Sequence, residues 1–243
     1  MLSAVSQLAD LALFILTVVV VGRKPTVRKV SAMICVVAVV DYGFVALVAA
    51  QVQMNPIEWY QQQLVEVFEL YNESFAGQMQ GYESHLPFVA GISPSIYVVQ
   101  SSIYVFIGLC IRWIVDKVRR KSEWSPFSQV DLSIWWLMPL LLGVSFYIVS
   151  LFLQDEAKFT ASLVAANFIV VSGIPLFVQG AAAGKGIMNR AGLGLTWQIV
   201  IGVLGLLSGL FFIVVTVLGL VDFWANFRKL DRSDVIAYES GSE

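Results

Sequence analysis

Charge is what this chain has least of. Lysine, arginine, aspartate and glutamate make up only 13% of its 243 residues, against 58% hydrophobic. A soluble domain carries roughly twice that share of charge, about 25%. Histidine occurs once, at His85, so a zinc-protease histidine pair is excluded. The two cysteines, Cys35 and Cys110, lie inside apolar runs and read as small buried hydrophobes, not as a disulfide or a metal pair. No glycine loop ends in Lys-Ser/Thr, Gly184-Lys185-Gly186 being too short for one. No Gly-x-Ser-x-Gly or paired-aspartate motif stands in an apolar run. These absences predict a protein that is no enzyme, with no catalytic residue, cofactor or metal site. A net charge of −2 predicts no nucleic-acid partner.

What remains is a series of long apolar runs, at about 7–22, 30–52, 95–115, 132–153, 159–183 and 194–222. The last carries no charge from Gly194 to Val221 and then ends in Asp222, Trp224, Arg228 and Lys229. About 20 apolar residues cross a bilayer, so the pattern predicts an all-α polytopic membrane protein with about six transmembrane helices. Residues 1–230 read as a single transmembrane domain and 231–243 as a polar tail. The first run has no basic segment ahead of it and no small-residue cleavage site, and reads as a retained helix.

The connections differ in charge. The first holds Arg23, Lys24, Arg28 and Lys29; the third holds Arg112, Lys117, Arg119, Arg120 and Lys121; the fifth holds Lys185 and Arg190. Residues 53–94 contain five glutamates and no lysine or arginine. Basic connections stay in the cytoplasm, which places odd-numbered connections inside and both termini outside. Arg228, Lys229 and Arg232 in the tail argue the other way. Either the alternation of the earlier loops dominates, or Gly194–Val221 is a bent, re-entrant element that returns the tail inside. Six of the seven tryptophans fall near predicted span ends, where amphipathic rings sit.

Within the extracytoplasmic segment 53–94, Asn55-Pro56-Ile57-Glu58 reads as a helix start, with Asn55 as cap and Glu58 closing a capping box. Ile57, Tyr60, Leu64, Phe68, Tyr71 and Phe75 then form one apolar face. The polar face includes Glu66, Glu69 and Glu73. A helix lying on lipid usually has a basic polar face. This acidic one, with Glu58, predicts a lid over the outer mouth of the bundle or a partner-binding segment; covering exposed helix ends would explain it as well.

Asp41 is the most informative single residue, an ionisable group near the middle of the second run. Three readings compete: a proton- or cation-binding site, a protonated carboxyl used as packing glue, and a partner for a base on another subunit. Asn167, Gln179, Gln100 and Tyr42 are its expected neutral neighbours, with Asn167 and Gln179 as candidate ligand-orienting groups. Pro175 in the fifth run, and Pro139 in the fourth, are candidate kinks that would free a carbonyl. Gly202, Gly205 and Gly209, with Gly180 and Gly184, provide small-residue faces where helix backbones approach closely, within this chain or toward another subunit.

From residue 125 to 230 the chain resembles the YybS-like family of bacterial integral membrane proteins. The resemblance rests on Pro126-Phe127, Trp135, Trp136 and Pro139, on Asn167, and on Phe177-Val178-Gln179-Gly180. Its most specific part is Leu218-Gly219-Leu220-Val221-Asp222-Phe223 with Phe227-Arg228-Lys229. Fold-level kinship of that family to the substrate-binding components of energy-coupling-factor vitamin transporters implies a six-helix bundle that captures a small molecule from outside. The expected function is therefore a small-molecule or ion-binding transport component of the bacterial inner membrane. The alternative is a non-catalytic structural or assembly subunit, held to other membrane subunits and to lipid.

Overall fold

In hydrocarbon every backbone N–H and C=O must be paired inside the chain, and a helix does this segment by segment. The computed structural model describes residues 27–74, 83–118, 127–206 and 209–230, and these contain helices and turns but no strand. The helices are α1 (Val27–Gln51), α2 (Pro56–Ser74), α3 (Leu86–Gly91), α4 (Ser93–Val118), α5 (Met138–Ser150), α6 (Asp155–Arg190), α7 (Leu195–Leu206) and α8 (Gly209–Ala225). Short 3-10 turns stand at Glu83–His85, Phe127–Gln129 and Ile134–Leu137. Three stretches, Lys29–Gln51, Ser93–Arg112 and Asp155–Arg190, are long and apolar enough to cross a membrane. The run at 132–153 becomes a 3-10 turn followed by α5. The run at 194–222 becomes two helices, α7 and α8. The run at 7–22 and the tail 231–243 lie outside the described residues.

Local chemistry sets the element ends. The α2 start is the capping box expected from the sequence: Glu58 N–H donates to Asn55 Oδ1 at 2.8 Å, and Asn55 N–H donates to Glu58 Oε2 at 3.4 Å. After α6, Gly192 takes φ +70°, the Gly192 N–H donates to the Asn189 carbonyl, and the Leu193 N–H donates to that of Met188. That is a Schellman stop, where a residue lacking Cβ adopts the left-handed turn without strain. Pro139 is the second residue of α5, in the first turn, where no intrahelical hydrogen bond is lost. It therefore does not kink the helix, in contrast to the expectation from its place within an apolar run. Pro175 is inside α6, which continues through it.

The chain divides into two compact units, residues 1–124 with 139–171, and residues 125–138 with 172–243. In the first, α1 packs on α4 through Met33, Val37 and Val105, flanked by Val30, Ile34 and Leu109. There α2 lies against α3 and α1. Phe146 of α5 stacks on Phe168 of α6, and a side chain at Gly143 would strike Ile169. In the second unit α6 and α8 cross at glycine. A Cβ on Gly180 would run into the carbonyl oxygen of Val215, and one on Gly219 into that of Leu176. Backbones that close are possible only without side chains at the contact.

The distribution of polarity is inverted relative to a water-soluble domain. On α5, residues Leu141, Leu142, Val144, Phe146, Ile148 and Val149 are exposed, while Gly143 and Ser150 are buried. Buried polar groups include Ser95, Ser101, Ser102, Ser172, Gln179 and Asp222. An outer surface of this kind is stable in lipid and not in water.

Candidate functional site

Asp41 sits near mid-helix in α1, with 8% of its surface exposed. The Ser101 hydroxyl of α4 donates to Asp41 Oδ2 at 3.1 Å. One turn up α4, Tyr97 meets Tyr42 edge-on at 5.7 Å between ring centroids, and Tyr60 of α2 meets Tyr97 at 6.1 Å. Residues four apart share a helix face, so Tyr97 and Ser101 form one column on α4. Tyr60, Tyr97 and Tyr42 thus form a row of phenols that ends at the residue next to Asp41 in the chain. Burial raises the Tyr60 phenol above its ordinary value. Glu58, Glu66 and Glu69 are exposed on the same helix, and the Glu73 side chain lies outside the described residues.

Asn167 belongs to the same unit but has another task. Its Nδ2 donates to the carbonyls of Gly91 at 3.1 Å and Leu163 at 2.9 Å. Its Oδ1 accepts from the Ser95 N–H at 3.3 Å and from the Ser95 hydroxyl. An amide has two donor hydrogens and two acceptor positions, and all four are taken. Asn167, expected to orient a ligand beside Asp41, instead fastens the α3–α4 corner to α6. Close by in sequence, the Ser93 hydroxyl is buried with no hydrogen-bond partner.

Gln179 lies in the second unit, within a cluster that joins three distant parts of the chain. It is fully buried; its Nε2 donates to Asp131 Oδ1 at 2.9 Å and to Asp222 Oδ2 at 3.0 Å, and its Oε1 accepts from the Leu132 N–H at 3.1 Å. Arg228 completes the cluster. Nε and Nη2 donate to Asp222 Oδ2 at 3.1 and 2.7 Å, and Nη2 also donates to Asp131 Oδ1 at 3.1 Å. Nη1 donates to the carbonyls of Ser128, at 3.2 Å, and Val130. All five guanidinium donors are used. The Phe227 N–H donates to Asp222 Oδ1 at 3.0 Å. The side chains of Asp222 and Arg228 are 0% and 2% exposed and that of Asp131 is 20% exposed, so this is a buried ion pair with a second acid at its rim.

Sequence reasoning singled out Asp222, Phe227 and Arg228 as a motif, and Asp222 and Arg228 as charges ending the last run, but not as a cluster, and it passed over Asp131, Ser101 and Ser95. An acid at the threshold of an apolar run, as in Val130-Asp131-Leu132, and serines recurring along one helix were the available signals. Of the glycines, Gly180 forms the crossing, a Cβ on Gly184 would lie 3.8 Å from Leu218, and one on Gly205 would strike the Phe211 ring. Gly202 faces open space, and Gly209 is the first residue of α8. Among the described residues no group of three His, Cys, Asp or Glu could hold a metal ion.

An apolar exterior, polar groups turned inward and helices of spanning length define an all-α membrane protein. Its family follows from comparison: the chain belongs to the family described as Predicted membrane protein (DUF2232), which matches residues 16–223. That stretch includes Asp41, Asn167, Gln179 and Asp222 and stops short of Arg228. No curated protein and no solved structure matches the chain.

Proposed function

We propose that this protein is the binding component of a membrane transport system, a multi-pass protein of the bacterial inner membrane that takes a cation or a small molecule and does no covalent chemistry. The observation that carries this reading is the Asp41 carboxylate, buried midway along a helix of spanning length and bonded by Ser101. An acid at that depth costs several kcal/mol in lipid and is retained where it serves an ion or proton. The phenol file from Tyr60 through Tyr97 gives the site an approach from the α2 side, and the exposed glutamates of α2 favour cations there. The resemblance of residues 125–230 to YybS-like proteins, and through them to energy-coupling-factor binding components, leans the same way. Gln179 and Asn167 act in this reading as structural groups. The alternative, an assembly subunit, draws on glycine faces. Gly180 and Gly184 are turned to α8 of the same chain, which leaves that reading less surface.

The test is gentle purification from the native membrane, followed by mass spectrometry of everything that stays bound. A small molecule or metal cation that is retained by the native chain and lost in Asp41→Asn, with the melting temperature preserved, is the expected result. Stoichiometric protein partners with no such ligand would sink the transport reading.

A further inference from the structure

The longest uncharged run begins and ends at the same end of α6. At its start, Gln198 Nε2 of α7 donates to Asn189 Oδ1 and to the Leu193 carbonyl, each at 2.8 Å. At its finish, the Arg228 side chain passes Gly186 so closely that a Cβ there would lie 2.8 Å from Arg228 Cγ. Gly186 and Asn189 are less than a turn apart, about 4.5 Å of helix rise. Both stand beyond the apolar stretch of α6, toward Arg190. A single crossing would separate the two ends of the run by about 30 Å of hydrocarbon.

The interior of the run agrees. Its described residues form α7, 12 residues and about 18 Å long, and α8, 17 residues and about 26 Å long. Gly205 before the break admits the Phe211 ring after it. Along α6, Gly180 meets Val215 and Gly219, Gly184 meets Leu218, and Gly186 meets Arg228, so α8 advances with α6 toward that shared end. The chain must therefore travel away from the end in α7 and return to it in α8. The glycine crossing lays α8 directly on α6.

We infer that α7 and α8 form a re-entrant helical hairpin whose two ends lie in one headgroup layer, and that this layer is the anionic cytoplasmic one. Arg190 and Lys229 are exposed there, and Lys185 lies over the Phe127 ring at 5.9 Å. The two acids among the unit's described residues, Asp131 and Asp222, are both held by Arg228. Exposed charge at this end is thus positive, which suits anionic lipid and the cytoplasmic side. Trp197 and Trp224, near the two ends of the hairpin, are both exposed, as rings seated among headgroups are. Arg228 also ties the end of α8 to Ser128 and Val130, so the connection preceding α5 shares this face. Residues following Leu230 then emerge into the cytoplasm. The inference holds whether or not the protein transports anything.

The experiment uses the full chain with Cys35→Ala and Cys110→Ala as background and one new cysteine at a time, Gly194→Cys or Lys229→Cys. A Cβ at Gly194 meets nothing within 4 Å, so that variant is accommodated. Ser233→Cys replaces Lys229→Cys if the latter fails to accumulate. Each is treated with a membrane-impermeant maleimide in right-side-out spheroplasts and in inverted vesicles. Labelling of both ends only in inverted vesicles, at least tenfold over spheroplasts, is expected. Labelling of the two ends from opposite sides means a single crossing and overturns the hairpin. Labelling of both from outside overturns the cytoplasmic placement. Lack of labelling in either preparation also counts against it, since both native positions are exposed in the structure.

Discussion

At the scale of single residues, the strongest commitments are charges and glycines with no alternative arrangement. Arg228 donates twice to Asp222, and both side chains are almost wholly shielded. Removing one partner of a buried pair strands the other, at a cost of about 3–5 kcal/mol. Arg228→Gln is therefore expected to lower the melting temperature in detergent sharply, and Arg228→Lys to restore only part of it, because an ammonium cannot span Asp222, Asp131 and two carbonyls. Gly219→Ala forces apart two backbones in contact and should cost about 1–3 kcal/mol, read from the same melting curves. Gly202→Ala, with open space at its Cβ, is the matched control and should change little. What could be read beforehand at this scale was the oddity of a residue and not its partner. Asp41 was conspicuous as one acid in an apolar run, yet Ser101 was silent because a serine in a membrane helix is unremarkable. Gln179 was expected near Asp41. Its partners, Asp131 and Asp222, looked like ordinary charges at span ends, and nothing local in a sequence joins positions nearly a hundred residues apart.

Among the elements, α2 was the most legible, because its determinants are local. Asn55 and Glu58 close the capping box within four residues, and the acidic face follows from helical spacing alone. Its docking rests in part on Tyr60 against Tyr97. Tyr60 has its phenol held above the ordinary value by burial, so the packed state favours the protonated form. Its contribution is fully present below about pH 10, the unpacked value, and is lost as pH rises through the packed one. Hydrogen exchange across residues 57–70 is therefore expected to speed up on alkaline titration beyond the rise imposed by hydroxide catalysis. Tyr60→Phe should flatten that extra rise while keeping the ring contact. An unchanged profile in the variant would remove Tyr60 as the cause. By contrast, the run that holds α7 and α8 left a crossing and a re-entrant element both open, because uninterrupted apolarity is equally compatible with a helix that crosses and a pair that turns back. Only the contacts at both ends tell them apart.

For the molecule as a whole, composition was enough to choose lipid as the solvent and helix as the secondary structure of the described residues. It could not divide the helices between two compact units, because that division depends on contacts between segments far apart in sequence, such as Arg228 with Asp131. The order in which those segments are made has its own consequence. Asp131 leaves the ribosome 97 residues ahead of Arg228 and Gln179 49 residues ahead of it, since the chain is synthesised from its N-terminus. For the last 49 residues of that interval a carboxylate and an amide are both made without the guanidinium that will gather them. Insertion of this protein therefore has a final step that arrives with Arg228, and every nascent chain short of that residue presents the cell's quality-control proteases with an incomplete polar cluster.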